Sequence, residues 1–364
     1  MKKMRMVGLC ALVALWAALT LGAWFSPTKE ISDAERRKLA QFPKLTTQTV
    51  LGGSFMKNFE EYTLDQFPLR DTFRQLKALF HYNALGQSDN NSIYLAGGSA
   101  AELEYPLDTV SLNNALKKFN RIYESYLTDS GKILVAVVPD KGYYLAQQVG
   151  APTMDYDALY TAMEQLHWAE LVDLREMLTG SDYYLTDTHW RQERIGSVAQ
   201  RLCEALGTAV FENGELALTK VDRPFYGVYY GQAALPMAGE DLYVMTGQIL
   251  DECTVYNHET GKTTGIYDWS KLSSRDLYDV YLSGATALLT IENPNAATEK
   301  ELIVFRDSFG SSMVPLLCKD YRTVTVVDIR YIASTILDRY VDFHGQDVLF
   351  LYSTLILNNS NTLK

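Results

Sequence analysis

The pattern of apolar and polar positions divides the chain unevenly. Lys2, Lys3 and Arg5 precede an uncharged run from Met6 to Phe25. Roughly 20 apolar residues cross a bilayer as a helix, and the basic flank predicts a cytoplasmic start with everything after it outside. A cleaved signal peptide is the competing reading. Its apolar core spans about 7–15 residues, shorter than this run, and Trp24 and Phe25 directly follow the small residues Gly22-Ala23 where cleavage would fall. Residues 1–25 therefore read as an uncleaved single-pass signal anchor, which places the C-terminal domain on the extracytoplasmic side of the cell membrane. On either reading the chain is exported.

After the anchor the pattern is polar, and Asp33–Leu39 predicts a short helix stopped by Phe42-Pro43. Residues 54–84 read as helical, with Phe55, Phe59, Tyr62 and Leu64 near helical spacing. Phe67-Pro68-Leu69-Arg70-Asp71 interrupts them, and a second amphipathic stretch follows over Phe73–Leu85. Residues 26–90 thus form a helical lead-in. From residue 91 to 364 the pattern predicts one larger domain. Ile93–Gly98 reads as a strand and turn, and Leu112–Tyr126 as a helix. Lys132–Val138 reads as a strand that is continuously apolar from Ile133, as a central parallel strand is. A helix over Ala158–Trp168, a strand at Leu171–Leu174 and a helix over Arg191–Leu206 come next. From Val210 to about Thr290 short strands, turns and tyrosines dominate, as in Tyr226-Gly227-Val228-Tyr229-Tyr230, and predict a β-rich insertion over about 210–290. Alternation then resumes: strand Glu301–Arg306, helix Ser311–Cys318, strand Thr323–Asp328, helix Ile332–Tyr340, strand Val348–Tyr352. Such alternation predicts an α/β fold, a parallel sheet with helices on both faces.

Composition narrows the function. Hydrophobic residues make up 47% and charged residues 21% of the 364 positions, a folded composition. The net charge of −11 excludes the basic footprint of a nucleic-acid binder, and a polyanionic partner would need a local basic patch. The 24 tyrosines, 14 phenylalanines and 5 tryptophans suit a protein that stacks on sugar rings, although most of them serve core and strand packing. Cys10 lies in the apolar N-terminal run. Cys203, Cys253 and Cys318 are too few for a disulfide framework and form no metal-ligand cluster. They read most simply as buried thiols, and which pair, if any, is bridged stays open.

Two places carry candidate chemistry, because functional groups collect at the carboxyl ends of parallel strands. Asp307-Ser308-Phe309-Gly310 follows the strand 301–306 and opens a helix. A serine there is presented on a strand-to-helix turn whose amides face an oxyanion; the plainer alternative is a helix N-cap. Asp187-Thr188-His189-Trp190 precedes the helix begun near Arg191. A serine hydroxyl needs a base, and the base an orienting carboxylate. Asp187 supplies one to His189 if the segment is extended, since i and i+2 then face the same way. Among the five histidines only His344, through Asp342, repeats that offset, and it reads as an ordinary loop residue.

An ordered set of segments then resembles a known family. It comprises Glu35–Pro43, Asp65–Asp71, Val138–Lys141, Asp187–Trp190, Tyr278–Gly284, Arg306–Gly310 and Asp328–Tyr331. The chain resembles the DHHW and alginate O-acetylation-type SGNH-hydrolase-like proteins. That resemblance implies a three-layer α/β/α sandwich of permuted motif order, with the Asp–His pair ahead of the serine. It implies Ser308 as nucleophile, His189 as base and Asp187 as orienter, with no metal and no cofactor. Ser283, Gly284, Lys141, Trp190 and Arg330 become candidates for substrate or oxyanion contacts. The expected activity is an extracytoplasmic O-acetyltransferase or acetylesterase acting on a polysaccharide through an acyl-serine, with a multispanning membrane O-acyltransferase as partner. Relatives often carry Asn where this chain has Ala285. Losing one oxyanion donor costs roughly 100- to 1,000-fold in rate, so a catalytically decayed glycan-binding or scaffold protein is the alternative expectation.

Overall fold

The computed structural model describes residues 2–32 and 34–364. They form two compact units, one made of residues up to Asn91 together with Tyr230–Pro236, the other of Ser92–Tyr229 and Met237–Lys364.

The first unit begins with helix α1 (Lys2–Phe25). Its 21-residue stretch Arg5–Phe25 is, among the described residues, the one helical segment long and apolar enough to cross a membrane. The short helix expected over Asp33–Leu39 is absent from the described part of that segment; Asp33 itself lies outside the described residues. The chain instead pairs β1 (Ile31–Ser32) with β2 (Arg37–Lys38), antiparallel, with Arg36 at φ 52° in the turn. Tertiary ion pairs override local propensity here. Arg37 forks onto Asp65 at 2.8 and 2.6 Å, Asp65 also accepts the Ala40 amide, and Glu35 pairs with Arg70 and Arg74. These arginines hold the Glu35 carboxyl below its usual range even though burial opposes them. Helix α2 (Thr47–Leu51) is capped by Thr46. It leads into α3 (Ser54–Asp65) and α4 (Arg70–Asn83), which break apart at Pro68 as the sequence predicts, and the short strand β3 (Asp89–Asn90) follows.

The second unit opens with the hairpin β4 (Ile93–Ala96) and β5 (Ser99–Glu102). Helix α5 (Thr109–Ile122) starts where Asp108 accepts the Val110 and Ser111 amides. Next come β6 (Ile133–Val138), α6 (Lys141–Val149), α7 (Tyr156–Met163) and β7 (Glu170–Asp173). Helix α7 is shorter than expected. The chain turns away after it, and Trp168 stacks on Tyr123 at 4.7 Å instead of continuing the helix. The helix expected from Arg191 begins later, as α8 (Gly196–Leu206), after a single 3₁₀ turn. The cause is Gln192. Its buried amide donates to the Ser312 carbonyl and the Tyr267 hydroxyl and accepts the Met245 amide, which fixes the chain before a regular helix can form.

The remaining elements are β8 (Ala217–Lys220), α9 (Val228–Ala233), β9 (Tyr243–Thr246), α10 (Gln248–Glu252), β10 (Thr254–Asn257), β11 (Lys262–Gly265) and β12 (Leu288–Glu292). They are followed by β13 (Lys300–Arg306), α11 (Gly310–Leu317), β14 (Tyr321–Val327), β15 (Asp347–Ser353) and α12 (Thr354–Asn358). A 3₁₀ stretch, Ser334–Arg339, occupies the place of the helix expected over 332–340. Tyr226–Tyr230, grouped with short strands and turns in the sequence, instead leads into helix α9.

The main sheet has eight strands in the order β11-β10-β12-β14-β13-β15-β6-β7. The five from β14 to β7 run parallel, and β12, β10 and β11 continue the sheet antiparallel. Thus three strands of the 210–290 stretch join the same sheet as the parallel core. Successive residues alternate faces. Leu134, Ala136, Leu302, Val304, Leu349 and Leu351 enter one core with α8 and α11, while Val135, Val137, Ile303, Phe305, Val348 and Phe350 enter the other with α5 and α7. Helices on both faces of a mostly parallel sheet make three layers. Cys203, Cys253 and Cys318 are buried free thiols.

The second core is aromatic at its centre. Fully buried Phe350 stacks on Phe305 at 4.6 Å and meets Phe119 at 5.1 Å and Trp168 at 5.5 Å. Phe350→Ala is expected to cost about 3–5 kcal/mol of stability, read as a lowered midpoint in chemical denaturation.

Candidate active site

Strand β13 ends at Arg306, and the next residues build a turn at the carboxyl end of the central sheet. Asp307 is fully buried. One of its oxygens accepts the Phe309 amide at 2.9 Å and the other the Ser353 amide, at the end of neighbouring β15, at 2.7 Å. That carboxylate clamps the turn to the sheet. Gly310 starts α11 where an added Cβ would sit 2.7 Å from the Arg306 Cβ, so only glycine fits. Between them Ser308 is half-buried. The Phe309 and Gly310 amides are committed to Asp307. Among the described residues the Ser308 amide has no acceptor, and it is the donor this turn leaves available.

Asp187 and His189 lie on the loop between β7 and α8. The loop bends at this point, and a single oxygen of Asp187 accepts both the His189 amide at 3.0 Å and His189 Nδ1 at 2.6 Å. An extended segment would pair the two through their i, i+2 offset; the structure reaches the same pairing through a side-chain-to-backbone turn of the kind Asp favours. The other Asp187 oxygen accepts the Val228 amide at 2.8 Å. His189 Nε2 lies 2.8 Å from Ser308 Oγ. The three residues are thus in series, although Ser308 is 119 positions beyond His189.

The relay has supports that the sequence reading did not assign. Tyr278 stacks face to face on the imidazole, with centroids 4.0 Å apart and planes 9° from parallel, and its hydroxyl meets Ser312 Oγ at 2.8 Å. Burial pushes that phenol far above its usual range, so it stays neutral. Glu240 accepts the Leu185 and Thr186 amides and the Thr186 hydroxyl and pairs with Arg191 at 2.7 Å, tying down the loop before Asp187. Gly227 passes so close that an added Cβ would lie 2.2 Å from the Asp187 Cβ. Tyr278 stood inside a recognisable motif, which was a usable signal. Glu240 and Gly227 gave none, since their partners are set only by the fold.

Residues 170–327 match the profile of the DHHW protein family. That span resembles the DHHW family. It contains Asp187, His189 and Ser308, and its naming tetrad here is Asp187-Thr188-His189-Trp190. Among solved structures the chain is similar to a DHHW family protein from Eubacterium siraeum, at 21% identity and TM-score 0.62, covering 75% of this chain and 94% of that one. It is also similar to PatB1 of Bacillus cereus, at 17% identity and TM-score 0.59, covering 73% and 96%. A second PatB1 structure, carrying a sulfonyl adduct, aligns at 16% identity and TM-score 0.57, covering 73% and 97%. No curated protein matches. These similarities show the fold.

The five candidate contact residues all have partners within the fold. Lys141 is 2% exposed and donates to the carbonyls of Ala100, Tyr184, Leu185 and Asp187, so it braces the loop from inside. Burial pushes its ammonium down to about 7, against the pull of Asp187 and Glu240. Trp190 is fully buried, and its indole N–H donates to Ser312 Oγ and the Phe309 carbonyl, underpinning the serine turn. Arg330 forks onto buried Asp328 at 2.9 and 2.6 Å. The Ser283 hydroxyl donates to Asp268, and the Gly284 amide to the Tyr281 carbonyl. Each of these polar groups has a partner within the fold. Leu282, Ser283 and Gly284 form a run of left-handed backbone, and the Gly284 carbonyl accepts from buried Arg306, whose guanidinium also holds the Asp307 carbonyl and Ser311 hydroxyl. His344 is exposed and distant from this relay in role, pairing loosely with Glu301 and Asp342 at 3.4 and 3.6 Å.

The close approach at Gly227 generates a test. Gly227→Ala is expected to displace the Asp187 carboxylate and lower turnover of an activated ester by about 100-fold, the usual cost of a misplacement of about 1 Å. The fold should persist, as checked by circular dichroism.

Proposed function

We propose that this chain is a serine acyl-transfer enzyme acting on a glycan outside the cell. The observation that carries this reading is the relay itself: Asp187 to His189 at 2.6 Å and His189 to Ser308 at 2.8 Å. A hydroxyl so placed has a base in reach, and the base has a carboxylate that fixes its tautomer. Ser308 Oγ attacks an acyl carbonyl carbon while its proton passes to His189 Nε2. The oxyanion forms beside the Ser308 amide. The leaving alcohol then takes the proton from Nε2, and an acyl-serine remains. A sugar hydroxyl or water gives its proton back to Nε2, attacks the acyl carbon, and frees the serine. Asp187 stabilises the imidazolium in both halves.

The acetyl group and the polysaccharide follow from the resemblance to DHHW and alginate O-acetylation-type proteins, and a multispanning acyltransferase partner follows from the same source. The sulfonyl adduct carried by PatB1 agrees with a nucleophile of this kind. Helix α1 serves as the membrane anchor, with the rest of the chain outside. One feature favours a second reading, a glycan-binding protein without turnover: Ala285 has no side-chain donor and the Gly284 amide is already committed, so the oxyanion relies on backbone donors such as the Ser308 amide.

The full chain in detergent, supplied with p-nitrophenyl acetate, is expected to release nitrophenol in an initial burst, and Ser308→Ala to abolish it. Added oligosaccharide should carry the acetyl group away faster than water does. Folded protein with no burst would favour the binding reading.

A further inference from the structure

Helix α4 is turned inside out for a soluble domain. It buries a single residue, Ala78. On the opposite face, about 170° round the helix, Leu69 just before it and Phe73, Leu76 and Phe80 within it form a stripe at 4-3-4 spacing. They are 68%, 43%, 56% and 57% exposed. Lys77 flanks this stripe on one side, about 70° away, while Arg70 on the same side is held by Glu35. A helix with a continuous apolar face and a basic edge is one that lies in the plane of a membrane interface.

The same unit shows where that interface would be. The turn that starts α4 is seated on the end of α1: a Cβ at Gly22 would lie 3.3 Å from the Pro68 ring. Gly22 is three residues from the end of α1, about 5 Å inside the span. The corner is pinned twice more, because Gln66 accepts the Lys29 amide at 2.9 Å and donates to the Lys29 carbonyl at 2.8 Å. The chain leaving α1 is therefore tied to the residues that introduce α4.

We propose that α4 lies on the outer leaflet of the bilayer that α1 crosses, with Leu69, Phe73, Leu76 and Phe80 in the acyl boundary and Lys77 at lipid phosphates. This rests on reading α1 as an anchor. A second copy of the chain is the competing occupant, since 4-3-4 spacing is also a coiled-coil seam. The charges disfavour it. In heptad terms Lys77 takes one flanking position, and the other flank, Thr72 and Leu79, offers no acid to pair with it.

The test uses full-length protein with Cys10→Ala, reconstituted in phosphatidylethanolamine–phosphatidylglycerol vesicles. Single nitroxide labels are placed through Leu76→Cys, Gln75→Cys or Val13→Cys; the three remaining thiols are buried. Collision with oxygen should dominate at 76 and 13, and collision with a nickel chelate should dominate at 75. Nickel access at 76 equal to that at 75, with 13 still in lipid, would overturn the proposal and leave the anchor standing. Exclusion of both reagents at 76 would overturn it in favour of a protein partner or second copy. Nickel access at 13 would remove the anchor reading and the proposal together.

Discussion

A fully buried carboxylate holds the site together. Asp187 is 0% exposed, and an unpaired charge there would cost several kcal/mol. The structure surrounds it with donors: the His189 amide and ring on one oxygen, the Val228 amide on the other. Those bonds fix the rotamer of the carboxylate, the carboxylate fixes the imidazole, and Tyr278 closes the remaining face of the ring. The geometry at Ser308 depends on this one desolvated charge being satisfied from three directions.

The sheet makes that arrangement possible with residues far apart in sequence. Strand β13 lies between β14 and β15, so the turn carrying Ser308 is clamped by Asp307 to the end of β15. The loop carrying Asp187 and His189 is held from beneath by Lys141, which follows β6, and from its outer side by Glu240. Asp307, Glu240, Lys141 and Trp190 at this end of the sheet spend their polar groups on neighbouring backbone and side chains. That is a costly way to build a loop, and it suits a site where displacement of a fraction of an ångström matters more than net stability.

Much of this was legible in the sequence because it was written in local pattern. The parallel strands announced themselves as continuous apolar runs, and Pro68 marked the break between α3 and α4. Ser308 stood out by its position after a strand, and Asp187 and His189 by their spacing. What was not legible depended on partners distant in the chain. Asp65 and the arginines open Glu35–Lys38 into a hairpin where local propensity indicated a helix. Gln192 interrupts what reads as a single helix. Lys141 and Arg330 look like surface cations until the carbonyls and the carboxylate that occupy them are seen. The roles of Glu240 and Gly227 exist only in three dimensions.

A relay that makes Ser308 a nucleophile should also make it react with a sulfonyl fluoride. Full-length protein would be treated with phenylmethylsulfonyl fluoride, digested and mapped by mass spectrometry, beside Asp187→Asn. One adduct is expected, on Ser308, formed far more slowly in the variant. An unmodified Ser308 in folded protein, or modification at the same rate in Asp187→Asn, would contradict it.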